Sequence, residues 1–296
     1  LPKSVTINDE NNVEIGGCPT MVHRIHDTVT LHNGVKMPWL GLGVWKAQDG
    51  EEVEHAVEVA IHTGYRSIDT AQIYRNETGV GRAIKRVGID REELFLTSKV
   101  WNKAQGYDST LEAFEKSLRR LQVDYLDLYL IHWPVKGKYK ETWKALETLY
   151  REGRVRAIGV SNFQIHHLED LMMDCEIKPA VNQVEFHPYL TQEELRSFCR
   201  KHQIQMEAWS PLMMGNVVKD ETIRQIAEKY QKTPAQIVLR WDLQHQVVTI
   251  PKSVNEKRII ENSEIFDFEL SEEDMNRIDQ LNRNHRFGPD PDNFDF

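Results

Sequence analysis

Four residues in this sequence could handle one proton together: Asp69, Tyr74, Lys99 and His132. Asp69 ends the short run Ser67-Ile68-Asp69, and Tyr74 follows just ahead of the polar run Arg75-Asn76-Glu77 that opens a helix. Lys99 ends Leu94-Phe95-Leu96-Thr97-Ser98-Lys99, and His132 ends Tyr125-Leu126-Asp127-Leu128-Tyr129-Leu130-Ile131-His132. A phenol titrates near pH 10, too high for easy exchange at neutral pH, and a neighbouring ammonium favours the phenolate and lowers that value. A useful shift of two or three units asks for roughly 3–4 kcal/mol, within reach of a close, partly desolvated cation. Asp69 would hold Lys99 charged and in place, and His132 would hydrogen-bond and orient a substrate oxygen. Such a set donates a proton to an oxygen as negative charge develops on it, as in carbonyl reduction. For any one of these residues the plain alternative is a satisfied core polar group or a helix cap. For the whole set that alternative is weak, because burying Asp, Lys and His together is costly without a purpose. No nucleophile stands beside a base, which argues against acyl transfer. His166-His167 sit at a helix start facing different ways and read as surface or capping residues, so no metal is expected.

The elements that must position these residues alternate. Helices are predicted over 51–62, 77–86, 109–121, 139–152, 166–174, 192–202, 221–230, 234–244, 255–262 and 272–281, with Thr233-Pro234 and Ser271 as start signals. Strands are predicted over 38–44, 67–69, 94–99, 125–132, 155–160, 180–185, 205–209 and 247–250. Repeated βα units imply parallel strands, and eight of them in 296 residues favour a closed α/β (β/α)₈ TIM barrel. Ahead of them, Thr28–Leu31 and Val35–Met37 flank His32-Asn33-Gly34, a hairpin that could plug the barrel bottom. At the carboxyl ends of the strands stand Asp69, Lys99, His132, Ser161-Asn162, Asn182-Gln183 with Glu185, Trp209-Ser210 and Lys252-Ser253, converging on one mouth.

The last of these strand ends suits an anion. Lys252, Ser253, a helix start and Arg258 could hold a phosphate such as the 2′-phosphate of NADP(H), although a capped surface helix with ordinary charges reads the same way. Gly41-Leu42-Gly43 is no dinucleotide fingerprint, lacking the third glycine and the helix. The formal net charge of −9 and the absence of a basic tract speak against nucleic acid as a partner. No apolar run approaches the roughly 18 residues of a membrane helix. Cys18, Cys175 and Cys199 make no metal-like spacing and fit a reducing, cytoplasmic setting. Residues 1–24 read as a flexible extension outside the fold, with Met21 as a start; the preceding residues read either as an addition that is not native or as a real arm. Residues 25–296 read as one domain.

From about Thr28 onward the chain resembles an aldo-keto reductase. The matching segments are Gly-Tyr-Arg-Ser-Ile-Asp-Thr-Ala-x-x-Tyr at 64–74, Thr-Ser-Lys-Val-Trp at 97–101 and Asp-Leu-Tyr-Leu-Ile-His-Trp-Pro at 127–134. Further on come Ile-Gly-Val-Ser-Asn-Phe at 158–163, Asn-Gln-Val-Glu-Phe-His-Pro at 182–188, and Ile-Pro-Lys-Ser with Arg258-Ile259-Ile260-Glu261-Asn262. The resemblance implies a (β/α)₈ barrel binding NADPH across its carboxyl-end mouth, with Asp69, Tyr74, Lys99 and His132 as catalytic tetrad and Tyr74 the acid. It implies Ser161, Asn162 and Gln183 at the nicotinamide carboxamide, and Trp209 against the ring where many relatives carry Tyr. Ser210 and Leu212 would line the pyrophosphate. Lys252, Ser253, Val254 and Arg258 would surround the 2′-phosphate, Glu261 and Asn262 would reach adenine, and Gly43 and Val44 join the cofactor set. Trp45, Trp101 and Trp133, with His132, would wall the substrate pocket; for each Trp, and Trp133 above all, packing is the alternative.

Within the family the chain looks most like bacterial glyoxal/methylglyoxal reductases and diketogluconate reductases. The short tail after Asn262 then predicts an open pocket accepting small aldehydes and dicarbonyls. The expectation is a monomer acting on a small-molecule carbonyl. Two other readings stay open: an NADPH-sensing module like the potassium-channel β subunits, and a sugar isomerase or aldolase using Lys99 as a Schiff base.

Overall fold

Asn33 and Gly34 reverse the chain as their types predict. In the computed structural model, which describes residues 22–296, Gly34 takes φ 86° between β1 (Thr28–Thr30) and β2 (Lys36–Pro38), which pair antiparallel. Positive φ costs glycine nothing, so the turn closes without strain. Asn33 Nδ2 donates to the carbonyl of Arg156, at the amino end of a barrel strand, so the hairpin lies across the barrel bottom. The expectation for residues 1–21 lies outside the described residues.

The barrel follows by alternation of strand and helix, with two helices between the last two strands and two after the last. It begins with β3 (Leu42–Gly43), α1 (Glu51–Thr63), β4 (Ser67–Asp69), α2 (Glu77–Val87), β5 (Phe95–Val100) and α3 (Tyr107–Leu121). Next come β6 (Leu126–Ile131), α4 (Tyr139–Arg151), β7 (Val155–Ser161), α5 (Ile165–Asp174), β8 (Val181–Glu185) and α6 (Glu193–Lys201). It ends with β9 (Gln205–Trp209), α7 (Glu221–Tyr230), α8 (Pro234–Gln244), β10 (Val248–Thr249), α9 (Glu256–Ser263) and α10 (Glu272–Asp279). Each strand from β3 to β10 pairs in parallel with the next. Parallel bridges Leu40–Thr249 and Gly43–Lys252 join the first strand to the last, so the eight strands close into a (β/α)₈ barrel.

Local chemistry explains the element ends. Thr233 Oγ1 accepts from the Gln236 N–H while the Gln236 side chain returns to the Thr233 N–H, a reciprocal cap with Pro234 at the first helical position. Ser271 caps α10 as its position predicts. α3 starts two residues earlier than the predicted Ser109, since Gly106 at φ 130° already turns the chain and Asp108 suits the positive helix start. The predicted 38–44 strand shortens to β3 and a bridge at Leu40. Here the chain changes partners along its length, Gly41 and Gly43 donating to Thr249 and Pro251 and Val44 to Asp69. β5 and β6 are buried at every position, as helix-covered parallel strands must be.

Candidate active site

β4 delivers Asp69, and the short 3₁₀ turn Gln72–Tyr74 swings the chain so that Tyr74 returns over the same mouth. Arg75, at φ 58°, ends that turn in the left-handed region. Asn76 pins the loop: its Nδ2 donates to the carbonyls of Val44 and Ala47, and its Oδ1 accepts from Thr70 Oγ1. The loop carrying Trp45 is thereby tied to the one carrying Tyr74.

β5 brings up Lys99, fully buried, with Nζ 2.5 Å from Asp69 Oδ1, 3.0 Å from the Thr70 carbonyl and 3.4 Å from Tyr74 Oη. His132 directly follows β6, and its ring meets Tyr74 edge-on at 5.7 Å and Trp101 at 5.2 Å. The structure therefore brings all four predicted residues together. Their electrostatics differ from expectation at one point. Burial pushes the Tyr74 phenol above its ordinary value, and the pull of Lys99 in the other direction does not reverse this. Residue types could not weigh desolvation against a cation; here desolvation wins. Burial also pulls Lys99 down, but Asp69, Tyr74 and Glu207 outweigh it and leave the ammonium above its usual value. Burial and the nearby Lys99 charge hold His132 well below the usual imidazole value, so it is neutral.

Ser161, Asn162 and Gln183 stand next to this set. Ser161 Oγ donates to the Gln183 carbonyl, and Asn162 Nδ2 donates to the His132 carbonyl and to Ser161 Oγ. Asn162 sits at φ 64°, a conformation Asn tolerates, and accepts at Oδ1 from Trp209 Nε1. Gln183 Nε2 donates to both Asp69 Oδ2 and Glu207 Oε2 at 2.8 Å. Glu207 is fully buried on β9 and was not singled out in the sequence; an acid inside an apolar strand, Met206-Glu207-Ala208, was the available signal.

The cofactor candidates line the same rim. Ser210 is left-handed at φ 54°, Leu212 is half-buried, and a 3₁₀ stretch, Met213–Lys219, follows. A side chain at Gly43 would put its Cβ 2.9 Å from the Ile250 carbonyl, so only glycine lets the backbone lie this close to the Lys252 strand end. Lys252 and Arg258 are exposed and, among the described residues, form no ion pair with a carboxylate. Asn255 caps α9 through the Arg258 N–H, Ser253 Oγ accepts from the Asn255 N–H, Val254 and Glu261 are half-buried and Asn262 is buried.

The tryptophans divide. Trp45 is 43% exposed with Lys46 4.3 Å over its ring, Trp101 is half-buried and Trp133 is buried. The expected open pocket is corrected here. The chain end folds over the wall: Phe296 stacks on Trp101 at 5.7 Å, and Phe294 and Phe296 both pack on Trp133. Asn102 Nδ2 donates to the Phe296 carbonyl. His166 and His167 do not diverge either. Their rings lie 4.0 Å apart, and both Nε2 atoms approach Asp292 Oδ1, at 3.0 and 3.5 Å. His167 Nδ1 accepts from the Gln164 N–H, so His167 is the capping residue expected, and its proton sits on Nε2. That tautomer points a donor at Asp292 and does not suit a metal at the same atom. A cavity of about 850 Å³ opens beside this tail, lined by Lys136, His166 and Phe296 among others; none of the four proton-handling residues lines it.

A family model described as the aldo/keto reductase family matches residues 39–283. The chain belongs to the aldo/keto reductase family. It is 67% identical over 268 residues to the glyoxal reductase of Bacillus subtilis (strain 168), covering 90% of this chain and 97% of that one. It is 48% identical over 270 residues to the methylglyoxal reductase DkgA of Escherichia coli (strain K12), covering 90% and 97%. A crystal structure of a Gox0644 point mutant in complex with NADPH matches with a TM-score of 0.87 at 49% identity, covering 91% of this chain and 98% of that one. No helix among the described residues is long and apolar enough to cross a membrane.

Proposed function

We propose that this aldo/keto reductase family member is an NADPH-dependent reductase of aldehydes and small dicarbonyls such as methylglyoxal, with Tyr74 as general acid. One observation carries the reading: a fully buried Lys99 held by Asp69 and reaching Tyr74, beside a neutral His132, at the carboxyl mouth of the barrel. The residues present fit the cofactor. Lys252 and Arg258 are exposed cations at a helix start, suited to a 2′-phosphate, and Gln183 Oε1 accepts no hydrogen bond among the described residues, so it is left for a carboxamide N–H. Bound across this mouth, the reduced nicotinamide supplies the hydride to the carbonyl carbon.

This chain's own residues handle the proton. His132, neutral, donates from Nε2 to the carbonyl oxygen and orients it; its Nδ1 is then a buried acceptor without a partner, cheaper than a buried donor without one. Tyr74 keeps its proton until negative charge develops on that oxygen, then gives it up. The resulting phenolate faces the Lys99 ammonium, which Asp69 holds in place. Trp45, Trp101 and Trp133 with the tail aromatics exclude water from the reacting oxygen. The relatives named as glyoxal and methylglyoxal reductases support small dicarbonyls as the substrate class. The charge state of Lys99 speaks against a Schiff-base role, since a protonated amine is no nucleophile. We take the protein to act as a cytoplasmic monomer.

The test is NADPH oxidation with methylglyoxal by wild type and Tyr74→Phe. The expected result is a loss of roughly 10²–10⁴ in kcat with NADPH binding retained. NADPH binding by wild type with no turnover of any aldehyde would replace this reading by a cofactor sensor.

A further inference from the structure

The barrel interior holds one more acid than the proton-transfer set uses. Asp69 on β4 and Glu207 on β9 accept from the two hydrogens of the same Gln183 amide, each at 2.8 Å. Gln183 and Glu207 are register partners on adjacent strands, so this contact is set by the barrel's own hydrogen-bond ladder. All three side chains are buried, and Glu207 Oε1 has no partner. Glu207 touches neither Tyr74 nor Lys99 through a hydrogen bond, and it reaches them through the Gln183 amide and Asp69.

We propose that Glu207 is a positioning residue: it fixes the Gln183 amide so that Nε2 braces the Asp69 carboxylate and Oε1 stays turned to the nicotinamide carboxamide. The proposal rests on the NADPH-reductase reading above. The donor and acceptor pattern decides the orientation. The Asp69 carboxylate can only accept, so the NH₂ end of the amide faces it, and Glu207 Oε2 takes the second hydrogen, which leaves the carbonyl end for the ligand. Without Glu207, Gln183 has one partner instead of two, and the amide can rotate.

Charge balance sets the form in which Glu207 does this. The groups facing it are Asp69, Lys99 and Tyr74. One ammonium cannot serve two buried carboxylates, and it stands 2.5 Å from Asp69. Asp69 therefore keeps the charge and Glu207 the proton. Burial first, then the Asp69 charge, push Glu207 up to about 8. Free in the unfolded chain it would titrate near 4.3. Between those values the folded state holds a proton that the unfolded state has lost, so this group makes stability fall as pH rises.

Two variants separate the possibilities: Glu207→Leu, which removes the acceptor, and Glu207→Gln, which keeps an acceptor but cannot ionise. NADPH affinity is read by fluorescence titration, and the unfolding midpoint of the cofactor-free protein is read from pH 5 to pH 8.5. Glu207→Leu is expected to bind NADPH roughly tenfold more weakly, and Glu207→Gln to recover most of that. Glu207→Gln should match wild type in midpoint near pH 5 and exceed it increasingly toward pH 8. A folded Glu207→Leu that binds NADPH within about twofold of wild type overturns the positioning role while leaving the reductase reading intact. If Glu207→Leu does not fold, Glu207→Ala takes its place, and NADPH affinity within about twofold of wild type overturns the proposal; a Glu207→Gln midpoint that tracks wild type at every pH overturns the protonated form assigned to Glu207. Wild type that binds no NADPH overturns the reductase reading itself.

Discussion

Trp209 Nε1 donates a 2.8 Å hydrogen bond to Asn162 Oδ1. The indole at the end of β9 is thereby locked to the amide at the end of β7, and that amide in turn holds the His132 carbonyl. An indole therefore places its ring by a bond directed across the mouth as well as by packing. Trp209→Phe keeps an aromatic face and removes the donor. The expected outcome is a several-fold weaker NADPH affinity and a stability loss of about 1 kcal/mol, read by fluorescence titration and urea unfolding.

Gly288 sets the other side of the same ring. A Cβ there would lie 2.3 Å from Trp209 Cη2, and the Phe287 and Gly288 N–H groups both donate to Glu185. Gly288→Val must displace either the indole or the tail. It is expected to weaken NADPH binding at least as much as Trp209→Phe does, with the fold kept by circular dichroism. Unchanged affinity would show that the ring does not face the cofactor.

Arg258 and Lys252 give a prediction about discrimination between cofactors. Arg258→Ala should weaken NADPH binding roughly tenfold or more, the scale of a lost hydrogen bond to a charged group, and leave NADH within about twofold. Equal losses for both would remove the 2′-phosphate from this helix start.

The tail aromatics give a prediction about the pocket. Removing Phe294 to Phe296 uncovers Trp101 and Trp133. Aromatic pairs of this kind contribute about 0.5–1.5 kcal/mol, so KM for methylglyoxal should rise roughly 2–12-fold. Tryptophan emission should become more accessible to an added quencher. An unchanged KM with exposed tryptophans would place substrate away from this wall.

Asp274 gives a prediction for stability. Burial alone would raise its carboxyl, but the Lys229 ammonium and the hydroxyls of Ser271 and Tyr230 outweigh that and pull it down to about 2. Unfolded, it titrates near 3.9. A carboxyl lowered in the folded state stabilises above the unfolded value and loses that contribution as pH falls toward 2, here about 2 kcal/mol. Asp274→Asn should therefore cost about 2 kcal/mol at pH 7, about half that at pH 3, and little at pH 2. Urea unfolding at the three pH values checks it.

The sequence by itself determined the order of the barrel's strands and main helices, with strand ends placed within a residue or two except in the first strand. Periodicity, the Asn33-Gly34 turn, the glycine Gly64 that ends α1 in the left-handed region and the Thr233-Pro234 cap act over a few residues, so they are visible without a structure. Strand ends of a closed parallel barrel, and the loops just beyond them, face one mouth, and for that reason Asp69, Tyr74, Lys99 and His132 could be placed together from residue type and position. Tertiary structure decided what depends on contacts between distant segments. Gln183 and Asp69 are 114 positions apart, and Asn102 and Phe296 are 194. No local pattern states that Glu207 shares an amide with Asp69, or that Phe296 covers Trp101. The direction of the Tyr74 shift belongs to the same class. Desolvation depends on everything that surrounds a group, so the fold had to be complete before burial could be weighed against the charge of Lys99.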